Sequence, residues 1–132
     1  MHGEAIRLTL VGPAVASGES SPRPVTMNVG WFDTGSERPP LYAAFHAPAS
    51  GDIHAAVVLC PPLGLEMLIA HRAMRSLAER LAKAGFGVLR MDYAGCGDSV
   101  DAASPAEAED WVTSIGDAVA ALRLAGAKSI SI

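Results

Sequence analysis

Residues 55–60 (Ala-Ala-Val-Val-Leu-Cys) form a continuously apolar run, and residues 86–91 are read as a second buried strand, with a single helix-length segment between them. A strand that shows no polar alternation is one covered on both faces, as in a parallel sheet. In the intervening segment Ile69, Ala73, Leu77 and Leu81 recur at helical spacing, and Gly85 is placed to end that helix. Two parallel strands joined through a helix require a right-handed crossover. This one constraint excludes helical bundles and all-antiparallel folds, and it predicts a βαβ unit.

A second unit follows. Ser104-Pro105-Ala106-Glu107 places a serine at the N-cap, proline at the first helical position and glutamate three residues after the serine, which is a capping box. Trp111, Ile115, Ala118, Val119 and Leu122 then make one apolar face, Gly126 ends the helix, and residues 128–132 begin another strand. Upstream, residues 5–11 alternate as a half-buried strand does, and residues 12–24, rich in Gly, Pro and Ser, break it. Residues 25–32 and 41–47 are two short strands flanking the turn-rich residues 33–40, and they are expected to lie side by side and antiparallel. The expected class is therefore α/β, with antiparallel strands first and parallel βαβαβ units after them.

Composition fits one globular domain. With 132 residues, half of them hydrophobic, 18% charged and 24 alanines, the chain can bury a core without disulfides. A net charge of -4 and the lack of any Lys/Arg cluster argue against nucleic acid. Six acids and no base lie between Asp98 and Asp117, a pattern read as a solvated face with acids favourable to a helix start. Cys60 and Cys96 are too few for a disulfide framework and have no metal-type spacing with the four histidines, so a reducing, cytoplasmic compartment is expected, with no metal and no cofactor. Ala14-Val15-Ala16 mimics a signal-peptidase site, but Glu4, Arg7 and the short apolar run at residues 8–11 do not make a leader. No run approaches membrane-spanning length.

Chemistry is expected in the turns that leave the carboxyl ends of the parallel strands. In Cys60-Pro61-Pro62-Leu63-Gly64 two prolines stiffen the exit from the strand and hold the backbone amides of Leu63 and Gly64 in a fixed orientation. Preorganised amides at that edge are what an oxyanion hole requires. In Asp92-Tyr93-Ala94-Gly95-Cys96-Gly97-Asp98-Ser99, two glycines permit a tight turn, and the segment is read as shaping the floor of a site. It lacks Gly-Lys-Ser/Thr and dinucleotide spacing, so it is no phosphate cradle. Cys96 and Ser99 have no local base to activate them, and Cys96 is read as a small packing residue. Glu66 is expected to pair with Arg72 or anchor the loop, and His71, at a helix start, to cap or pack.

At these two turns the chain resembles the α/β-hydrolase superfamily. There a strand leads into a turn that supplies part of the oxyanion hole, and after the next helix and strand comes an Asp-x-x-Gly-x-Gly-x-Ser turn, which residues 92–99 match in full. The first turn departs from the common pattern, since Pro61-Pro62 replaces His-Gly. The pair looks closest to bacterial hydrolase-like proteins of the serine aminopeptidase and exosortase-associated type, over about residues 25–132.

The resemblance implies the N-terminal half of an α/β-hydrolase sheet, a single partial domain over residues 1–132 that stops before the nucleophile elbow Gly-x-Ser-x-Gly. It implies that the Leu63 amide is the oxyanion donor of a serine-type hydrolase acting on ester, thioester or amide bonds of a small-molecule or acyl substrate. The nucleophile, acid and histidine would lie further on, so the chain by itself is expected to be inactive. Its last strand leaves an apolar sheet edge at Ile130 and Ile132 through which self-association is expected. The alternative is a hydrolase-like binding or scaffold protein without catalysis, favoured by the missing His-Gly and the acidic segment. A complete nucleotide-binding domain is disfavoured by prolines where amide donors should be.

Overall fold

The computed structural model describes residues 27–32, 39–99 and 108–132. The strand expected over residues 5–11, the loop over 12–24, most of the loop over 33–40 and the Ser104/Glu107 capping box lie outside the described residues. In chain order the elements are β1 (Met27–Phe32), β2 (Leu41–His46), β3 (Ala55–Leu59), α1 (Leu65–Lys83), β4 (Gly87–Met91), α2 (Ala108–Leu124) and β5 (Ser129–Ser131). They build a five-stranded mixed sheet in the order β1-β2-β4-β3-β5. β1 and β2 pair antiparallel from Met27 opposite His46 to Phe32 opposite Leu41, and β2 pairs antiparallel with β4. β3 is parallel to β4 on one side and to β5 on the other.

The connection from β3 to β4 moves one way across the sheet, and that from β4 to β5 passes back over β3. Right-handed connections in opposite directions put their helices on opposite faces. Strand alternation agrees with that. Ala43, Phe45, Val58, Leu89 and Met91 share one core with Ala118 and Leu122 of α2, whereas Ala44, Leu59 and Arg90, of the other parity, line a groove beneath α1.

Both helices end alike. Gly85, at φ 104°, donates its N–H to Ala82 O (3.1 Å) while Phe86 donates to Leu81 O (3.1 Å). Gly126, at φ 108°, and Ala127 repeat those bonds to Arg123 and Leu122. This is the Schellman closure, which satisfies carbonyls that the helix leaves open.

The expected apolar face of α2 is the buried one, with Ser114 and Ala121 added to it. For α1 the face differs from the spacing of Ile69, Ala73, Leu77 and Leu81. Ala78 and Ala82 are fully buried, while Ile69 is 75% and Leu77 45% exposed. Apolar side chains occur on nearly every side of this helix, so spacing does not select one. The small Cβ groups of Ala78 and Ala82 allow the closest approach to the sheet, and the C-terminal half of α1 docks there.

Candidate functional site

Loops leaving the adjacent strands β3 and β4 run to opposite faces, which opens a crevice at the carboxyl edge of the sheet. After β3 the chain passes through Cys60, Pro61 and Pro62 to Leu63, which is 43% exposed. Gly64 follows at φ 68° and ψ -144° as the N-cap of α1, with no side-chain cap. A positive φ is open to glycine at little cost and turns the chain sharply into the helix. Its carbonyl accepts the Met67 N–H at 3.1 Å. Among the described residues the Leu63 N–H donates to no acceptor, so this turn offers a backbone donor close to a helix N-terminus.

The turn after β4 has its polar groups committed to its own architecture. Asp92 Oδ2 accepts the Asp98 N–H at 2.9 Å, and Gly97, at φ 53°, lies against that carboxylate. The buried Ser99 Oγ donates to the Asp92 carbonyl at 2.7 Å and accepts the Tyr42 N–H at 2.9 Å, which ties the turn to β2. Trp31 Nε1 donates to the Asp98 carbonyl at 3.1 Å, and the Ala94 N–H donates to Ser114 Oγ of α2 at 3.3 Å. A hydroxyl held between two backbone groups is a structural bridge rather than a nucleophile. Ser99→Ala should lower stability by about 2 kcal/mol, because it leaves the Tyr42 amide without its acceptor; urea unfolding measures this, and an unchanged midpoint would contradict the bridging role.

Of the other residues singled out by sequence, Cys96 packs against the core. Burial pushes the Cys60 thiol up, while a hydrogen bond with Tyr93 acts in the other direction. Burial likewise pushes the Tyr93 hydroxyl up to about 12, with the Cys60 thiol adding to the effect. Neither group is thus poised to ionise near neutrality. Arg75 pairs with Glu79 at 3.1 Å along α1, and no ion pair between Glu66 and Arg72 forms among the described residues. No nucleophile and base are brought together beside Leu63 among those residues.

A groove of about 560 Å³ lies between the N-terminal part of α1, the Pro61-Pro62 turn and the outward face of β1 and β2. His71 is on its wall, as are Pro61 and Pro62; Leu63 is not. Its size is within the range of small-molecule sites. Two groups that the sequence reading did not single out shape this face. Arg90 Nε donates to His46 Nε2 at 3.0 Å, and Arg90 Nη2 contacts Met27 Sδ at 3.7 Å. His46 is fully buried, and burial, then the Arg90 charge, lowers its pKa to about 4. Burial also lowers the pKa of Arg90. The available signal was the arginine itself, since a charge inside a strand covered on both faces needs a partner. Among the described residues no cluster of His, Cys, Asp and Glu could hold a metal ion, and no helix is long and apolar enough to cross a membrane.

Compared with known proteins, the chain matches no family model, and no curated protein or solved structure shows significant similarity to it.

Proposed function

We propose that this chain is the N-terminal part of an α/β-hydrolase-like domain, belonging to a cytoplasmic serine-type hydrolase of ester, thioester or amide bonds in which the Leu63 amide donates to the oxyanion. One observation carries the reading. The strand order β1-β2-β4-β3-β5 sets the proline-rich turn and the Asp-x-x-Gly-x-Gly-x-Ser turn at the carboxyl ends of neighbouring parallel strands, the edge at which α/β enzymes bind ligands.

When a nucleophile adds to a substrate carbonyl, negative charge moves onto the carbonyl oxygen. A donor already fixed in place stabilises that charge without reorganising. The open Leu63 N–H, stiffened by Pro61 and Pro62, has that character. The acyl part of a substrate would lie in the adjoining groove. Beyond β3, β5 has no further strand beside it among the described residues, and that edge is where this chain would pair with a second strand.

The test is made on the longer protein that carries this chain together with an elbow serine. It should react with a fluorophosphonate serine probe. Leu63→Pro, which removes the amide hydrogen, should slow that reaction roughly a hundredfold, whereas Leu63→Ala, which keeps it, should not. A full-length protein inert to the probe would favour the non-catalytic binding role, and equal rates for both variants would remove Leu63 from the mechanism.

A further inference from the structure

The groove beneath α1 has a charge arrangement that oxyanion chemistry does not explain. Arg90 projects from near the C-terminal end of β4 into a wall built largely from Met27, Val29, Leu59, Met67 and Met74. It is half-buried, yet its Nε is used on a neutral imidazole and one Nη on a thioether, and among the described residues it forms no ion pair. A guanidinium taken out of water normally stands beside a carboxylate, because an unpaired buried charge is costly.

A second guanidinium lines the same groove. Arg75 uses its Nε on Glu79 and, among the described residues, has no partner at its terminal nitrogens. His71, four residues before it, lies one turn away on the same wall. Asp92 and Asp98 also line the groove, but they belong to the turn after β4, where the Asp92 carboxylate is held by the Asp98 amide. Two guanidinium groups, Arg75 with open terminal nitrogens and Arg90 with one Nη on Met27 Sδ, therefore stand over an apolar floor of methionines, side chains that adapt to flexible aliphatic chains.

We propose that this groove binds a single-chain amphiphile with an anionic head, such as a medium-chain carboxylate, the head bridged by Arg90 and Arg75 and the chain laid over Met27, Met67 and Met74. Guanidinium nitrogens match the two oxygens of a carboxylate, which sets orientation as well as affinity. The Asp92 and Glu79 carboxylates act on Arg90 only from beyond ion-pair distance, so a directly bound carboxylate head is the physical gain. The site stands whether or not the parent protein hydrolyses anything. The net charge of -4 repels anions in general, so a preference for an anionic head must come from the groove itself.

The experiment uses the 132-residue chain labelled with carbon-13 at its methionine methyl groups and titrated, below micelle concentrations, with decanoate, 1-decanol and decyltrimethylammonium. Decanoate should shift the methyl signals of Met27, Met67 and Met74 and leave Met91, buried on the opposite face, in place. Decanol and the cationic amphiphile should bind at least tenfold more weakly. Arg75→Met, at a solvent-facing position on α1, should weaken decanoate about tenfold, and Arg90→Met should do so at least as strongly. If Arg90→Met does not fold, Arg75→Met decides. Equal affinity for decanol, stronger binding of the cation, a shift at Met91 instead of the groove methionines, or unchanged affinity in Arg75→Met would each overturn the proposal.

Discussion

Gly97→Ala should cost about 3 to 4 kcal/mol of stability. Two causes act together. Gly97 sits at φ 53°, where a side chain strains the backbone, by about 1 to 2 kcal/mol. A Cβ at that position would also overlap the Asp92 carboxylate, reaching its Cγ at 2.6 Å. Asp92 cannot simply swing away, because its Oδ2 holds the Asp98 amide at 2.9 Å, and losing a hydrogen bond to a charged acceptor adds roughly 1.5 to 3 kcal/mol. Gly51→Ala provides the comparison, since Gly51 has φ 82° and nothing within 4 Å of an added Cβ. It should show backbone strain alone. Urea denaturation of both variants separates the terms; if the two lose equal stability, the Asp92 contact is not what requires glycine at position 97.

Acid should destabilise the fold through His46 well before most carboxylates are protonated. The imidazole accepts the Arg90 Nε–H at its Nε2, so adding a proton there replaces an acceptor with a second donor facing a cation. Burial and that charge bring the folded-state pKa to about 4, against 6.5 for an unperturbed histidine. Between those values the unfolded chain binds more protons than the folded one, so stability falls as pH drops from about 6.5 towards 4. The whole difference corresponds to about 3 kcal/mol, fully present at neutral pH and absent below the folded-state value. His46→Gln keeps an acceptor for Arg90 and does not titrate. Thermal melts from pH 7.5 to 4.5 should therefore show the wild-type chain losing more stability than His46→Gln, with the gap opening below pH 6.5. Parallel curves would mean that His46 is not the titrating group.

Much of this architecture is legible in local pattern. The apolar run of β3, the glycines that close both helices and the Trp111 to Leu122 stripe of α2 each report a short-range physical requirement: burial on two faces, a left-handed closing residue, or a 3.6-residue period. The docking face of α1 was not legible, because apolar residues surround that helix and only the position of the sheet selects Ala78 and Ala82. Ser99 is another case. In sequence it is a serine at the end of a glycine-rich turn, and only its contacts with Asp92 and Tyr42, the latter 57 residues away, show that its hydroxyl bridges strand and turn.

By itself the sequence determined the order of strands and helices, the antiparallel opening pair, the parallel crossovers and the two turns, all of which follow from neighbours close along the chain. Tertiary structure alone decided which strand edges meet, which face of α1 is covered, that Arg90 on β4 finds His46 on β2, and that both lie on the face of the α1 groove. The physical reason is range. Propensity and periodicity act over a few residues, whereas the pairing of a buried charge depends on groups 44 positions apart that only the closed sheet brings together.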